Sequence, residues 1–412
     1  MSPRLGLVAL LVCASCSAPE QCTTAELQPL DGSPAFAFVS SDYASSAIGL
    51  LDADGSLITD AWLDSGTTRP GIVTALSGDV SLPLAPHAPC TLALIDRFGT
   101  DVVSILDTCA AEPVRSQVDV GSTFTANPHD VLPMDGGVWV SRYSVNAGVE
   151  THALERGNDI AVLEGGRVAS RIDLGVANVE VDGDEIFARP TRMVRLQSDS
   201  GVRRVVVGLA RLSADFMRTG PGAVALVEPL SRSVSIHPFE GLEHCAELDA
   251  VDGEPDVVVV TCSGSTFAEE SVRRAGSGVV SLRLGPAGEL IEVAGWRAAE
   301  HATEPVPSGP TVAISASRWL TVAWADTDFG DGVTDVMDRV MLIDGTASVL
   351  FESTPFSIGD GVYDAAHDLL LLPDAELGAV RRLRADGSER ERVSTTGCRG
   401  LPPREVRRVS FP

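Results

Sequence analysis

The sequence predicts an all-β fold, mainly because one strand pattern recurs along the chain. Three short segments rich in β-branched, aliphatic or aromatic residues, separated by turn residues, occur seven times in the 412 residues. Helical periodicity is nearly absent, and the best stretch, residues 269–274, is short and closely followed by glycine. The repeats start roughly 40 to 65 residues apart, a period typical of β-propeller blades. We therefore predict a β-propeller of seven four-stranded blades.

The second, third and fourth strands of each predicted blade form the recurring triplet. The second strands are predicted at 35–38, 91–95, 138–143, 204–209, 256–262, 319–323 and 368–372. The third strands are predicted at 48–51, 102–106, 160–163, 223–227, 279–282, 339–343 and 379–383. The fourth strands are predicted at 56–63, 114–120, 168–174, 233–238, 290–294, 348–352 and 389–394. Asp and Gly follow most third strands, where they supply the turn bonds and positive φ of a hairpin.

An innermost strand precedes six of the seven triplets. The six are predicted at 72–76, 128–133, 191–196, 246–250, 311–315 and 361–365. The first triplet has none ahead of it, so the C-terminal residues 405–411 are predicted to complete that blade. This pairing would close the ring and remove a sheet edge that promotes aggregation. A ring with one blade more or fewer, or an array of β-sandwiches, is the structural alternative.

The third predicted blade resembles the repeat of seven-bladed propellers of the YVTN and quinoprotein-like kind. Its segments read Asn-Pro-His-Asp-Val at 127–131, Gly-Val-Trp-Val-Ser at 137–141 and Ile-Ala-Val-Leu at 160–163. The resemblance extends over residues 35–412, although other blades are more diverged and none has a WD or kelch signature. It implies the propeller architecture and little about function, since this fold carries many activities.

The N-terminal residues predict export. Arg4 precedes an apolar run at 5–12 that is too short to cross a bilayer as a helix, as expected of a signal peptide at 1–15. Small residues precede Cys16 and resemble the lipobox of bacterial lipoproteins, whose cysteine is acylated. Cys13 stands where a leucine is usual, so an ordinary secretory signal is the alternative. Residues 16–34 would be the lipidated N-terminus and a flexible tether, and the expected location is the outer membrane or cell surface, otherwise the periplasm.

Six cysteines after Cys16 favour disulfides, because an exported chain folds in an oxidising compartment. Two pairs would join neighbouring strands of the second and fifth blades, and the third would hold the closing strand beside the start of the ring. The predicted pairs are Cys90–Cys109, Cys245–Cys262 and Cys22–Cys398. Six cysteines allow fifteen connectivities, and small buried apolar cysteines are the alternative to pairing.

The formal net charge of −26 excludes most nucleic-acid binding proteins, because this field repels a phosphate backbone. With 44% hydrophobic and 21% charged residues, the chain can bury a large core. No second apolar run of roughly 18 residues is present, so we expect membrane contact through the lipid anchor only. We expect the protein to be a monomer.

One acidic loop in the sixth predicted blade indicates a metal site. Residues 326–335 read Asp-Thr-Asp-Phe-Gly-Asp-Gly-Val-Thr-Asp. Carboxylates that alternate ahead of a glycine turn can direct several oxygens at one cation, and calcium accepts flexible, oxygen-only ligation. The predicted ligands are Asp326, Asp328, Asp331 and Asp335, and calcium is the only predicted cofactor. The loop lacks the closing glutamate of an EF-hand, so a solvated acidic loop is the alternative, as it is for the smaller cluster at 182–185.

No catalytic residue is assigned, because the sequence has no GxSxG elbow, HExxH motif or glycine-rich phosphate loop. His129 and His367 fall in or beside inner strands, where a side chain can face the central channel, although a structural role is the simpler interpretation. Several arginines and a tyrosine fall on strands near the channel or its rim: Arg142, Tyr143, Arg192, Arg195 and Arg211. The arginines could select an anion or pair with carboxylates.

Three functions are compatible with these features. We prefer a non-catalytic propeller that binds an envelope protein, a glycan or a small ligand across its channel face. The alternative is an enzyme of the propeller lactonase or quinoprotein type. However, the sequence shows neither the metal-site residues of the lactonases nor the tryptophan-rich pattern of the quinoproteins. A structural component of the cell envelope is the third. Three or more carboxylates converging on the channel would favour an enzyme.

Overall fold

The computed structural model describes residues 34–66, 71–97, 99–110, 114–121, 123–146, 152–265, 268–324, 337–397 and 399–410. These residues form seven four-stranded antiparallel sheets and one three-stranded sheet. The strands of most four-stranded sheets are consecutive in the chain; in the first sheet the last strand of the chain joins the first three, and in one other sheet a strand of the three-stranded sheet intervenes. The prediction of an all-β protein is therefore confirmed.

We number the four-stranded sheets 1 to 7 along the chain. Sheet 1 contains Phe36–Ser41, Ser46–Leu51, Leu57–Asp64 and Pro403–Arg408. Sheet 2 contains Val80–Ser81, Thr91–Asp96, Val102–Asp107 and Val114–Asp119. Sheet 3 contains Pro128–Met134, Gly137–Val145, Gly157–Glu164 and Arg167–Asp173. Sheet 4 contains Pro190–Gln197, Arg203–Leu209, Pro221–Val227 and Val234–Glu243.

Sheet 5 contains Glu247–Ala250, Val257–Ser263, Ser277–Leu284 and Leu290–Arg297. Sheet 6 contains Thr311–Ser315, Arg318–Ala323, Asp338–Asp344 and Thr346–Ser353. Sheet 7 contains Val362–Asp364, Leu369–Asp374, Ala379–Leu383 and Val393–Ser394. The helices are one α-helix, Glu270–Gly276, and the 3-10 turns Ala153–Glu155, Gly175–Ala177 and Ala298–Glu300. None of the helices in the described ranges is long and apolar enough to cross a membrane.

The predicted strand at 72–76 is wrong, and the first strand of sheet 2 is Val80–Ser81 instead. The side chain of Gln117 takes the place of a strand partner for the predicted segment. Its Oε1 accepts hydrogen bonds from the backbone N–H groups of Val73 and Thr74 at 2.7 and 2.9 Å, and its Nε2 donates to the Thr74 carbonyl at 2.9 Å. The backbone N–H and C=O groups of an apolar run can thus find hydrogen-bond partners outside a β-sheet.

The three-stranded sheet was not predicted, and we call it the accessory sheet. It contains Val179–Val181, Asp184–Phe187 and Leu212–Ser213, on either side of the first two strands of sheet 4. Asp182 and Gly183 have φ values of 52° and 87° in its hairpin, as an Asp-Gly turn requires. Arg218 pairs with Asp184 at 2.8 Å, so the acidic cluster at 182–185 has a cationic partner.

Within the described residues, a cluster of buried apolar side chains lies between each sheet and the next. Residues of successive sheets that belong to one cluster include Leu50 and Leu94, Ile95 and Val140, Trp139 and Val205, and Val206 and Val258. A further cluster contains Phe36 and Phe38 of sheet 1 together with Leu369 and Leu371 of sheet 7. The last strand, Pro403–Arg408, pairs antiparallel with Phe36–Ser41, where the sequence predicts a strand at 405–411.

Two disulfides are present, Cys90–Cys109 and Cys245–Cys262, which confirms two of the three predicted pairs. Cys22 and Cys398 lie outside the described residues, and so does Cys16. Their pairing and lipidation stay predictions.

Replacing both Cys245 and Cys262 with alanine should lower the free energy of unfolding by about 2–4 kcal/mol, because the bond closes a 17-residue separation. Both side chains are fully buried, so the variant also loses packing. Urea unfolding under oxidising conditions measures the loss. The matched control is the Cys90→Ala, Cys109→Ala variant, whose bond spans a similar separation of 19 at a more exposed place. Equal losses in the two variants would contradict the packing contribution.

Candidate functional site

A cavity of about 450 Å³ opens where the first strands of several sheets converge. We call it the central cavity and divide its lining into a polar floor, whose residues are buried or half-buried, and a more exposed rim. The floor contains Ser81, Arg192, Glu247, Asp360 and Glu405. The rim contains Tyr43, Trp324, Phe356 and Arg404, with the Arg97–Asp79 ion pair beside them.

Arg192 lies at the centre of the polar floor. Its guanidinium donates hydrogen bonds to the Leu82 carbonyl at 3.0 Å, to Asp360 Oδ2 at 2.9 Å and to Glu405 Oε1 at 3.0 Å. The pairing register of its strand shifts between Pro190 and Met193, and such an irregularity redirects side chains. One arginine therefore links sheet 4 to the segment after the first strand of sheet 2 and to the two carboxylates.

Two arginines neutralise the negative charges of Glu405 and Asp360. Glu405 Oε2 accepts hydrogen bonds from Ser81 Oγ at 2.8 Å and from the Leu82 N–H at 2.9 Å. Arg407 pairs with Asp360 and lies 3.4 Å from Glu405. Burial alone would raise the pKa of Glu405, but Arg192 and Arg407 together hold it below its usual value. Glu405 is therefore ionised at neutral pH.

Glu247 lies in the same cavity in a different electrostatic environment. Burial raises the pKa of its carboxyl, and the nearby Arg192 only partly offsets that effect. Among the described residues this carboxyl has no hydrogen-bond or ion-pair partner, unlike that of Glu405. A carboxyl with a raised pKa can take up and release a proton nearer neutral pH, which is the property of a general base or acid.

Two further carboxylates hold the strands that carry these groups. Asp130 is fully buried and accepts hydrogen bonds from the N–H groups of Leu84 at 3.0 Å and Met193 at 2.7 Å, next to Arg192. Asp249 accepts from the Ala313 N–H at 2.8 Å, and burial raises its pKa to about 7. These bonds cross from one sheet to the next and fix the relative positions of the floor residues.

An aromatic stack adjoins the floor. The His129 ring stacks on Tyr143 with centroids 4.4 Å apart, and Tyr143 stacks on Phe216 at 6.3 Å. Burial, with the charges of Arg97 and Arg192, lowers the pKa of His129 well below its usual value. Burial raises the pKa of Tyr143 to about 12. At neutral pH the imidazole is therefore neutral and the phenol protonated.

Only part of the predicted channel group reaches the cavity. Arg192 lines it, and His129 and Tyr143 adjoin it. Arg142 forms a buried ion pair with Asp159 instead. The others lie elsewhere: Arg195 is exposed, Arg211 donates to the Pro221 carbonyl, and His367 pairs with Asp364.

Sequence reasoning missed Glu247, Asp360 and Glu405. One signal was available, since His129, Arg192 and Glu247 each occupy the second position of a predicted inner strand, at 128–133, 191–196 and 246–250. Three consecutive blades thus present a polar side chain at one level. Asp360 lies just outside its predicted strand, and no pattern distinguishes it from other surface aspartates.

The central cavity does not fit the axial metal of a lactonase-like site. Three carboxylates converge there, but Arg192 lies within 3.0 Å of two of them and Arg407 pairs with the same two. A divalent cation would have to displace these arginines. Within the described ranges, the one cluster of metal-ligating residues is Cys90, Asp107 and Cys109, whose sulfurs form a disulfide. The predicted calcium ligands Asp326, Asp328, Asp331 and Asp335 lie outside the described residues.

Comparisons with known proteins identify the fold. No protein-family model and no curated protein matches the chain. Solved structures do: a Bacteroides uniformis protein with the provisional name 6-phosphogluconolactonase has a TM-score of 0.54 at 10% identity, covering 92% of this chain and 99% of its own. A similarly named Bacteroides fragilis protein has a TM-score of 0.53 at 9% identity, with 93% and 99% covered. The periplasmic gluconolactonase PpgL of Pseudomonas aeruginosa has 0.53 at 15%, with 92% and 99% covered. At these identities the likeness shows a β-propeller fold alone.

Proposed function

We propose that this protein hydrolyses a small lactone in the central cavity. The observation that carries the proposal is the pair of glutamates beside Arg192: Glu247, whose pKa is raised, and Glu405, whose pKa is lowered. Neighbouring carboxyls whose pKa values are pushed apart are typical of acid–base sites. A lactone is chosen among esters because three structural neighbours carry lactonase names.

The reaction needs a base and a fixed positive charge, and the floor has both. Ionised Glu247 takes a proton from water, and the resulting hydroxide bonds to the lactone carbonyl carbon. The guanidinium of Arg192 stabilises the negative oxygen, and its hydrogen bonds to Leu82, Asp360 and Glu405 hold it in place beforehand. The ring C–O bond then breaks, and the leaving alkoxide receives the proton from Glu247. The product is an open-chain hydroxy acid.

The proposed enzyme is a closed ring of seven blades, formed by sheets 1 to 7. The buried cluster that joins sheet 7 to sheet 1 supports closure, and so does the pairing of Pro403–Arg408 with Phe36–Ser41. In this arrangement the accessory sheet is an insertion beside sheet 4. The cavity would then be the mouth of the ring axis, where propeller ligands bind.

The proposed enzyme is exported and attached to the membrane through lipid on Cys16. The two disulfides support folding in an oxidising compartment. Export and lipidation are tested by metabolic labelling with a fatty acid and by the Cys16→Ser variant, which should lose the label.

Glu247→Gln should lower kcat/KM for D-glucono-1,5-lactone by about 10²- to 10⁴-fold, because the amide cannot accept the proton. Wild-type kcat/KM should fall with acidification through a pKa above the ordinary value for glutamate, since the base must be ionised. Acid release, corrected for spontaneous hydrolysis, measures both effects.

The matched control for this experiment is Glu391→Gln, which removes an exposed carboxyl elsewhere and should keep wild-type activity. Equal activity of the Glu247→Gln variant would contradict the assigned role. Saturable binding without hydrolysis of any sugar lactone would replace the enzyme by a non-catalytic binding protein, the function preferred from the sequence.

A further inference from the structure

The rim of the central cavity exposes three aromatic side chains. Tyr43 is 67% exposed, Trp324 41% and Phe356 48%. The other four tryptophans of the chain are at most 6% exposed. Clustered exposed aromatics around a cavity mark a binding surface better than scattered ones.

Two of these aromatics are held in an unfavourable backbone conformation. Tyr43 has a φ of 66° and Phe356 a φ of 55°, values that are rare for bulky residues. The Tyr43 N–H donates to Ser41 Oγ at 2.8 Å, and the Phe356 N–H donates to the buried carboxylate of Asp338 at 3.0 Å. The surrounding structure therefore determines where these rings lie, as at functional sites.

Arg404 lies among these rings as a cation without a carboxylate partner in the described part of the chain. Its guanidinium donates to the carbonyls of Ser41 at 3.1 Å and Phe356 at 3.0 Å, and it lies 5.2 Å from the centre of the Tyr43 ring. With no carboxylate of the described residues paired to it, this guanidinium is available to an external anion.

We infer that the rim binds an acidic oligosaccharide, with sugar rings against Tyr43, Trp324 and Phe356 and a uronate carboxylate on Arg404. The apolar C–H face of a sugar ring packs on an aromatic face, and the guanidinium fork matches a carboxylate. The inference rests on the proposed function, because it extends the same cavity outward to a longer substrate. A hydroxyl-rich ligand fits the floor better than an apolar peptide, which would leave the Glu247 carboxyl without a hydrogen-bond partner.

The Trp324–Phe356 arrangement provides a direct readout. The two ring centroids are 6.0 Å apart. Trp324 is the one exposed tryptophan, so changes in the red-shifted part of the tryptophan fluorescence report on the rim. We would titrate the full-length Glu247→Gln variant with the trimer of galacturonic acid and, separately, with the trimer of galactose. The acidic trimer should cause saturable quenching with an affinity at least tenfold higher than that of the neutral trimer.

Arg404→Met should remove this preference, while Arg195→Met, at an exposed arginine of sheet 4, should keep it. Phe356→Ala should weaken binding of both trimers. Circular dichroism verifies the fold of each variant. The inference is overturned if neither trimer gives a saturable change, or if both bind equally and Arg404→Met has no effect. Binding of the acidic trimer, together with absent lactone hydrolysis by the wild-type protein, would refute the proposed function and leave the rim assignment intact.

Discussion

A chain that ends at Gly400 is expected to aggregate instead of folding to a stable monomer. Truncation removes Pro403–Arg408, which pairs with the first strand of sheet 1 from Phe36 to Ser40. All six residues of Phe36–Ser41 are buried, so its backbone and apolar side chains would face solvent along one edge. An unpaired apolar edge strand is a template for association between chains.

The same truncation unbalances the charges of the central cavity. Arg192 loses Glu405, and Asp360 loses Arg407, in a place where unpaired charge is strongly unfavourable. Val406, which is fully buried in the cluster between sheets 7 and 1, is lost as well. Backbone pairing, electrostatics and packing therefore all favour the complete chain.

Light scattering after size-exclusion chromatography, together with circular dichroism, measures this result. The matched control is a chain ending at Ser410, which keeps the whole strand and the bond from the Cys90 N–H to the Ser410 carbonyl. It should be monomeric with an unchanged melting temperature. A stable, monomeric chain ending at Gly400 would show that the last strand is dispensable and that the proposed ring closure is wrong.

Arg142→Met is expected to lower the free energy of unfolding by about 3 kcal/mol, because it leaves a buried charge with too little compensation. The side chains of Arg142 and Asp159 are 1% and 0% exposed, with 2.7 Å between Nη2 and Oδ2. Burial raises the pKa of Asp159, and Arg142 opposes that effect. Arg171 lies 3.1 Å from the same carboxylate and keeps part of the compensation.

Urea unfolding of the Arg142→Met variant measures the loss. The matched control is Arg318→Met, which breaks the ion pair with Asp344, whose side chains are 39% and 48% exposed. Solvent screens that pair, so its loss should be below about 1 kcal/mol. If both variants lose the same amount, burial of the Arg142 pair has no special contribution to stability.

Local patterns in the sequence were sufficient to predict the positions of most strands. The predicted strand at 311–315 has the bounds of Thr311–Ser315, and turn residues mark the ends of most third strands. Two disulfides also followed, because their cysteines lie on or beside neighbouring strands. These features depend on residues close in sequence, whose preferences survive in the folded chain.

Other features depend on residues that only folding brings together. The segment at 72–76 does not form a strand, and the Gln117 side chain bonds the backbone of Val73 and Thr74 instead. Arg192 contacts Asp360 and Glu405 across 168 and 213 positions of sequence. No local pattern encodes such a contact, since it follows from how the sheets are arranged around the cavity.

The sequence by itself determined an all-β chain with repeated strands, and it predicted the inner strands at 191–196 and 246–250 that carry Arg192 and Glu247. Only the tertiary structure decided which of these side chains shares a cavity with which charge. Glu247 and Glu405 are the same residue type, yet burial raises the pKa of one while two arginines lower that of the other. A pKa depends on solvent and on nearby charges, and both are consequences of the complete fold.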